Sequence, residues 1–317
     1  MSTCLVTGGA GFIGSNLCEV LIAKGYRVFC VDNLLTGDKK NIKHLLGNNN
    51  FHFIHHDVIK ALPTSLTNAL RNLKYIYHLA SPASPPQYRK YSIETILVNS
   101  LGTYKMLELA QKTRAIFLLA STSEVYGNPK EHPQKETYYG NVNPVGVRAC
   151  YDESKRLSET LTMEFVRKKH LKARIIRIFN TYGPKMQPND GRVISNFITA
   201  AISGSPLTMY GDGMQTRSFC YIQDMVEGII AAIETRGIDG EVINLGNPDE
   251  KTIKQLGELI LSLTRSKSKL ISTKYRHEDD PVRRKPDISR AKRLLDWQPK
   301  IFLADGLKKT IEYFRSL

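Results

Sequence analysis

The stretch Thr7-Gly8-Gly9-Ala10-Gly11-Phe12-Ile13-Gly14 lies between a short β-rich run, Thr3 to Thr7, and an amphipathic helical pattern that continues to about Lys24. Within it, glycine recurs at every third position, as Gly8, Gly11 and Gly14. Glycines at this spacing, where a strand gives way to a helix, let backbone amides and the helix N-terminus approach a pyrophosphate. The stretch therefore predicts the first strand, phosphate-binding turn and helix of a dinucleotide-binding fold.

Strand and helix patterns alternate along the first part of the chain, and the strands end in polar or small residues. This alternation predicts an α/β protein with a Rossmann-like, doubly wound parallel sheet. Beyond Thr3 to Thr7, we expect strands at Arg27 to Val31, Phe51 to His56, Tyr75 to Leu79, Ala115 to Ala120 and Ala173 to Ile178, and helices over Ser92 to Lys112 and Tyr151 to His170.

The pattern changes near Gly183, where a polar, proline-containing loop begins. We therefore expect residues 1–182 to form the dinucleotide-binding domain and residues 183–317 to form mainly a smaller substrate-binding lobe. Residues 240–246 are predicted to return to the main sheet. The later segment contains predicted helices at Val193 to Ser203, Thr252 to Thr264 and Phe302 to Phe314, and short strands at Thr208 to Tyr210 and Phe219 to Ile222.

Composition excludes several classes of protein. The chain has 317 residues, of which 41% are hydrophobic and 24% charged, which is typical of a globular enzyme. Its apolar runs are far shorter than the roughly 20 residues that span a bilayer, and the pattern of a signal peptide is missing, so we expect a cytoplasmic protein with no membrane partner. The five cysteines have no C-x-x-C spacing. The formal charge of +15 is spread in short groups mixed with acids, which favours an anionic small molecule over nucleic acid.

Asp32 follows Gly14 by 18 residues and stands at the end of the second predicted strand. A carboxylate there can accept hydrogen bonds from ribose hydroxyls and repel a 2′-phosphate, which favours NAD over NADP. Asp57-Val58, at the next strand end, suits adenine contacts, and Leu79-Ala80-Ser81 would lie beside the nicotinamide ribose. The predicted cofactor-binding residues are Gly8, Gly11, Phe12, Ile13, Gly14, Asp32, Asn33, Thr36, Gly37, Asp57, Val58, Leu79, Ala80, Ser81, Tyr151 and Lys155.

Tyr151 and Lys155 are four residues apart, which on a helix places a phenol and an ammonium on one face. A tyrosine is a poor base at neutral pH, but an adjacent cation stabilises its phenolate. By itself the spacing also occurs on ordinary solvated helices. Combined with the glycine turn, it predicts proton transfer coupled to hydride transfer.

No metal site is expected. His277-Glu278-Asp279-Asp280 and Phe51-His52-Phe53-Ile54-His55-His56-Asp57 contain ligand-type residues. The second alternates as a strand, and neither has another ligand cluster to complete a coordination sphere.

The glycine turn followed by Tyr-x-x-x-Lys resembles the extended short-chain dehydrogenase/reductase superfamily. Within it, the chain is similar to the UDP-glucuronic acid decarboxylase (UDP-xylose synthase) family through matches that span nearly its whole length. The matching stretches are 79–86, 120–127, 143–153, 177–184, 189–192, 215–219 and 279–287.

This resemblance implies oxidation of a UDP-glucuronate sugar at C4, loss of carbon dioxide and re-reduction by the retained NADH to give UDP-xylose. It implies catalytic roles for Tyr151, Lys155, Thr122, Ser123, Glu124 and Arg284. Related dehydratases carry an acid where this chain has Ser123. A 4-epimerase or 4,6-dehydratase remains an alternative, as does a non-catalytic dinucleotide-binding regulator.

The resemblance also implies a nucleotide-sugar site, and a homodimer is expected on the same basis. Arg284 and Arg148 are candidates for the sugar carboxylate or its pocket, whereas Asn180, Arg217 and Arg192 resemble diphosphate ligands. The complete predicted set of substrate-binding residues is Tyr88, Arg148, Asn180, Arg192, Leu207, Tyr210, Arg217 and Arg284.

Overall fold

The computed structural model describes residues 2–70, 72–274, 281 and 283–317. Its α-helices in those ranges are α1 (Phe12–Ala23), α2 (Thr64–Ala69), α3 (Pro85–Lys90), α4 (Ser92–Leu97), α5 (Thr103–Thr113), α6 (Ala149–Lys169), α7 (Val193–Ser203), α8 (Ile222–Glu234), α9 (Ile253–Thr264), α10 (Ser289–Leu295) and α11 (Leu303–Arg315). Its strands there are β1 (Thr3–Thr7), β2 (Arg27–Asp32), β3 (Phe51–His55), β4 (Leu73–His78), β5 (Ile116–Thr122), β6 (Ala173–Ile178), β7 (Thr181–Tyr182), β8 (Leu207–Tyr210), β9 (Thr216–Ser218), β10 (Cys220–Tyr221), β11 (Val242–Leu245), β12 (Glu250–Thr252), β13 (Leu270–Thr273) and β14 (Arg283–Arg284).

The central sheet has the strand order β3-β2-β1-β4-β5-β6-β11 among the described residues, and its strands pair in parallel. Chain order reverses between β1 and β4, which creates a crevice at the carboxyl ends of the strands. This arrangement confirms the predicted Rossmann-like α/β fold.

The strands are apolar along most of their length because helices cover both faces of the sheet. Leu5, Val6, Ile76 and Leu118 have no exposed surface. Continuous apolar runs of this kind are typical of parallel strands that are buried on both sides. The strands therefore form a fixed platform, and the polar residues that follow them mark its edge.

The chain after β6 builds the smaller part of the structure and also rejoins the sheet. β11 pairs in parallel with β6, in the region where a returning segment is predicted. Elsewhere, β8 pairs with β13, and β9 lies between β12 and β14. This second small sheet brings Arg217 and Arg284 onto neighbouring strands.

Two predicted elements differ in detail. Ser92 to Lys112 is divided into α4, a π-helical segment Val98–Gly102 and α5. Gly102 lies so close to the turn that follows β3 that a Cβ there would be 3.0 Å from the Val58 side chain. The predicted strand Phe219 to Ile222 contains only Cys220–Tyr221, because Ile222 begins α8.

A half-buried ion pair joins α6 to the sheet. The Arg177 guanidinium on β6 donates from Nε to Glu159 Oε1 at 3.0 Å and from a terminal nitrogen to Glu159 Oε2 at 2.7 Å. Ser121 on β5 donates to the same carboxylate at 2.6 Å. This contact fixes α6, two turns beyond Tyr151, against the ends of two strands.

In the part of the chain that the structure describes, no helix is long and apolar enough to cross a membrane.

Candidate active site

A cavity of about 930 Å³ lies at the carboxyl edge of the sheet and extends between the sheet and the later part of the chain. Every predicted site residue except Leu207 contributes to its lining. These lining residues are Gly8, Gly11, Phe12, Ile13, Gly14, Asp32, Asn33, Thr36, Gly37, Asp57, Val58, Leu79, Ala80, Ser81, Tyr88, Thr122, Ser123, Glu124, Arg148, Tyr151, Lys155, Asn180, Arg192, Tyr210, Arg217 and Arg284.

The glycine turn at one end of the cavity has no room for larger residues. Gly8 has φ of +71°, and a Cβ there would be 2.9 Å from the backbone nitrogen of Ala80. A Cβ on Gly14 would overlap the Gly8 carbonyl and approach the Gly9 Cα to 2.8 Å. The turn therefore presents bare backbone beside the N-terminus of α1, and this cradle fits the pyrophosphate of a dinucleotide.

Asp32 is buried at the end of β2 and supports the same turn. Its carboxylate accepts hydrogen bonds from the backbone amides of Ala10 at 2.9 Å and Leu34 at 2.8 Å. Burial raises the pKa of this carboxyl, although the two amides act to lower it. A Cβ on Gly37 would be 2.9 Å from Asp32 Oδ1, so backbone approaches the carboxylate here as well. The side chain predicted to recognise ribose thus also organises the loop around it.

Tyr151 and Lys155 lie on the buried face of α6. The Tyr151 ring stacks on the Tyr88 ring, with a centroid distance of 5.0 Å and an interplanar angle of 3°. Lys155 Nζ donates to the Ala120 carbonyl at 2.9 Å and lies 6.0 Å from the Tyr151 ring centroid. The two side chains are therefore held by separate contacts on the same wall of the cavity.

Burial shifts the pKa of each group in the direction that favours its neutral form. It raises the pKa of Tyr151 to about 12, against a hydrogen bond with Thr122 that lowers it. It lowers the pKa of Lys155 to about 7, against the charge of Glu159 that raises it. In the protein alone the phenol therefore retains its proton at neutral pH, and the ammonium is close to releasing one.

Glu124 lies at the centre of a buried cluster of charges. Thr122 ends β5, and its hydroxyl accepts a hydrogen bond from the Glu124 amide at 3.2 Å, which turns the chain toward the cavity. The Glu124 carboxylate forms ion pairs with Arg148 and Arg284. Burial acts to raise the pKa of Glu124, but these guanidiniums outweigh it and hold the pKa below its usual value.

Arg284 is 1% exposed and contacts three parts of the turn that follows β5. Besides Glu124, it donates to the Gly127 carbonyl at 2.8 Å and to the Ser123 hydroxyl at 3.3 Å. Its Nε atom is buried and has no hydrogen-bond partner among the residues that the structure describes. The predicted catalytic residues Ser123, Glu124 and Arg284 therefore form one connected group.

Asp152 is part of this cluster, although the sequence interpretation did not include it. Its carboxylate is buried, with Oδ2 3.9 Å from Arg148 Nε. Burial raises the pKa of Asp152 to about 7, and the nearby Glu124 charge acts in the same direction. The i, i+4 spacing of Arg148, the N-cap of α6, and Asp152 in its first turn was the available signal for this contact.

The other end of the cavity contains the residues predicted for the nucleotide part of a sugar nucleotide. Arg217 donates to the Pro281 carbonyl at 2.7 Å, and Arg192 lies 3.2 Å from Asp190. Tyr210 on β8 lines the cavity, whereas Leu207 on the same strand has no exposed surface and packs in the core. Its neighbours Pro206 and Thr208 line the cavity, but the Leu207 side chain packs into the core instead.

The two stretches considered as metal sites have different positions. Phe51–His55 is β3 in the sheet. His277 to Asp280 lies outside the described residues. Within the ranges that the structure covers, no group of three or more His, Cys, Asp or Glu side chains could hold a metal ion.

Comparisons with known proteins give a consistent family assignment. A family model described as GDP-mannose 4,6 dehydratase matches residues 5–310. UDP-glucuronic acid decarboxylase 1 of Xenopus tropicalis is 50% identical over 311 residues, which are 98% of this chain and 72% of that protein. UDP-glucuronic acid decarboxylase 1 of Arabidopsis thaliana is 50% identical over 312 residues, which are 98% of this chain and 69% of that protein.

Solved structures with the same fold include enzymes that act on nucleotide sugars. UDP-glucuronic acid 4-epimerase from Bacillus cereus, in complex with UDP-glucuronic acid and NAD, has a TM-score of 0.89 and 31% identity, with 99% of each chain covered. dTDP-glucose 4,6-dehydratase from Bacillus anthracis, in complex with NAD, has a TM-score of 0.87 and 26% identity, with 100% of this chain and 97% of the other covered.

Gly14→Ala should weaken NAD binding at least about tenfold, because the new methyl group forces the turn away from the position that accepts a pyrophosphate. Isothermal titration calorimetry with NAD measures this loss. Gly47→Ala is the matched control, since a Cβ at Gly47 would have no neighbour within 4 Å in the described part of the chain. Equal NAD affinities for the two variants would contradict the assignment of the turn as the pyrophosphate site.

Lys155→Met should stabilise the protein at pH 6 and lose that advantage as the pH rises. The pKa of Lys155 is about 7 in the folded protein and higher in the unfolded chain. Between those two values the unfolded chain binds more protons, so the wild type gains stability with increasing pH. The difference in free energy of unfolding between variant and wild type should therefore shrink by about 2 to 4 kcal/mol from pH 6 to pH 9.5.

Urea denaturation at the two pH values measures this change. Lys112→Met, at an exposed lysine on α5, serves as the control and should give the same difference from wild type at both. A Lys155→Met curve that stays parallel to the wild-type curve would show that Lys155 keeps its ordinary pKa in the folded state.

Proposed function

The chain belongs to the extended short-chain dehydrogenase/reductase superfamily, in the family described as GDP-mannose 4,6 dehydratase, and from this premise we propose that it is a UDP-glucuronate decarboxylase. The reaction converts UDP-glucuronate to UDP-xylose and carbon dioxide. Curated relatives at about half identity over 98% of the chain bear the name of that activity, which supports the substrate class.

The observation that carries the proposal is the position of Arg284. Its guanidinium lines the same cavity as Tyr151 and Thr122, and it is held beside Glu124 at the end of β5. A guanidinium suits a carboxylate such as the C6 group of a uronic acid. In the same cavity, Tyr151 would act on the C4 hydroxyl of that sugar. A sugar without that carboxylate would leave this cationic group without a substrate partner.

We assign NAD as the cofactor. The glycine turn would hold the pyrophosphate, and Asp32 would face the ribose hydroxyls. Residues 1–182 would bind the cofactor, and residues 183–317 mainly the sugar nucleotide. The chemistry supplied by bound NAD is acceptance of a hydride from C4 of the sugar and its later return.

The protein residues then manage protons and charge on the sugar. Tyr151 takes the C4 hydroxyl proton, with Lys155 and the positive charge of the cofactor favouring its phenolate. Once C4 is a ketone, the C6 carboxylate is β to a carbonyl. Thr122 and Tyr151 would hydrogen-bond the C4 oxygen, which receives the electrons as the bond to carbon dioxide breaks. Glu124 would orient the sugar or a water for protonation at C5, and Tyr151 returns its proton during the final reduction.

A 4-epimerase is the competing function, because a structural neighbour of that activity is solved with UDP-glucuronic acid and NAD. Decarboxylation is favoured because relatives of that name are nearer in sequence than this epimerase. A dehydratase is disfavoured by Ser123, which is hydrogen-bonded to Arg284 and has no carboxyl group to expel a C6 hydroxyl.

Incubation of the protein with UDP-glucuronate and catalytic NAD should release carbon dioxide and UDP-xylose without net formation of NADH. Tyr151→Phe should reduce turnover by about 10²- to 10⁴-fold because the general base is lost. Products are identified by mass spectrometry and NMR. UDP-galacturonate as the sole product would establish the epimerase instead, and full turnover by Tyr151→Phe would refute the mechanism.

We further propose a homodimer that forms through an exposed apolar helix face. This face is made by side chains on α4, α5, the π-helical segment between them and α6, which pack against one another. Six large apolar side chains remain exposed there, from Leu97 at 38% to Ile93 at 68%, as expected for a surface that buries a partner. They are Ile93, Ile96, Leu97, Leu101, Tyr104 and Leu157.

The double substitution Ile96→Glu and Leu157→Glu should produce a monomer, since it places charges on that face. Light scattering coupled to size-exclusion chromatography measures the mass. Ile271→Glu is the control, because Ile271 on β13 is similarly exposed at 41% but lies outside the apolar helix face. A wild-type mass of 35.8 kDa, or a dimeric double variant, would refute this interface.

A further inference from the structure

Gln134 lies outside the cavity lining, yet it is fully buried and makes several hydrogen bonds to the residues that directly follow β14, the strand that carries Arg284. Its side-chain oxygen accepts a hydrogen bond from the Lys285 backbone amide at 2.9 Å. Its backbone amide donates to the Lys285 carbonyl, also at 2.9 Å. Its carbonyl accepts from the Asp287 amide at 2.9 Å. Gln134 therefore binds the chain on the C-terminal side of Arg284 through both backbone and side chain.

The nitrogen of the Gln134 side-chain amide is also hydrogen-bonded. Its Nε2 atom donates to the Glu131 carbonyl at 2.7 Å. Asn244, on the edge strand β11, donates to the carbonyls of Gln134 and Asp287 at 3.0 and 3.1 Å. The segment around Gln134 is thereby attached to the central sheet as well as to the residues that follow β14.

The direction of the Arg284 side chain follows from the position of β14. It has β9 on one side through pairing with Arg217, and its side chain extends to Gly127, Ser123 and Glu124. A shift of β14 along its axis would move the guanidinium away from the turn after β5. Catalytic geometry generally tolerates displacements of only about 0.5 Å.

We propose that Gln134 is a positioning residue that fixes β14 so that the Arg284 guanidinium meets the substrate carboxylate. This role rests on the proposed decarboxylase function. Gln134 itself touches no reacting atom. Its contribution is to the selective recognition of a uronic acid over a neutral sugar on the same nucleotide.

The test uses Gln134→Met, which preserves the size of the side chain but cannot hydrogen-bond the Lys285 amide. Binding is measured by calorimetry with NAD present, in a Tyr151→Phe background that prevents turnover. The affinity for UDP-glucuronate should fall about tenfold, whereas the affinity for UDP-glucose should change less than about twofold, because only the former carries a carboxylate. Lys135→Met, at the exposed neighbouring position, should alter neither affinity.

A general loss of folding would weaken both ligands and NAD together, so the ratio of the two sugar-nucleotide affinities is the decisive quantity. If Gln134→Met does not fold, Gln134→Asn provides the same test, because its amide is one methylene too short to reach Lys285. An unchanged ratio overturns the inference.

The failure of the proposed function is recognised separately, from the absence of carbon dioxide in the wild-type assay. Hydrogen exchange then tests the hydrogen bond between Gln134 and the Lys285 amide without any sugar nucleotide. The Lys285 amide should exchange at least about tenfold faster in the Gln134→Met protein than in the Lys135→Met protein, because it loses its acceptor. Equal exchange rates would also overturn the inference.

Discussion

The parallel direction of the strands in the central sheet is the constraint on which the site depends. Because the strands run the same way, the residues that follow β1, β2, β4, β5 and β6 meet at a single edge. The glycine turn, Asp32, Thr122 and Asn180 reach one cavity for this reason. Apolar burial on both faces holds the strands in position, so the edge is fixed before any side chain there contributes.

Charge compensation at that edge follows from the same burial. Glu124 and Asp152 lie in a region poor in solvent, where an unpaired carboxylate is costly. Arg148 from the start of α6 and Arg284 from β14 supply the opposing charge, and they join distant segments of the chain to β5. An incoming substrate carboxylate would therefore compete with Glu124 for a guanidinium. The cluster links folding of the later chain segments to the chemistry of the site.

The sequence was sufficient to predict the fold, and it also predicted a set of residues that the structure brings to one cavity. The glycine spacing and the alternation of strands and helices predicted the sheet, with β1, β6 and α7 at the observed boundaries. The π-helical interruption within Ser92 to Lys112 was not predicted, and the close approach of Gly102 to Val58 there is a tertiary contact that the sequence does not show. Leu207 illustrates the same limit, since a strand pattern does not show which of its residues packs in the core and which reaches the cavity.

The local order of residue types determined by itself the glycine turn, the acid at the end of β2 and the Tyr151–Lys155 pair. Each depends on contacts within a few residues or on spacing along one element. The tertiary structure alone decided that Arg284 faces Glu124 across 160 residues of chain, that Asp152 joins their cluster, and that Gln134 accepts a hydrogen bond from Lys285. Such contacts are set by how separate elements pack, and spacing along the sequence does not encode distances between them.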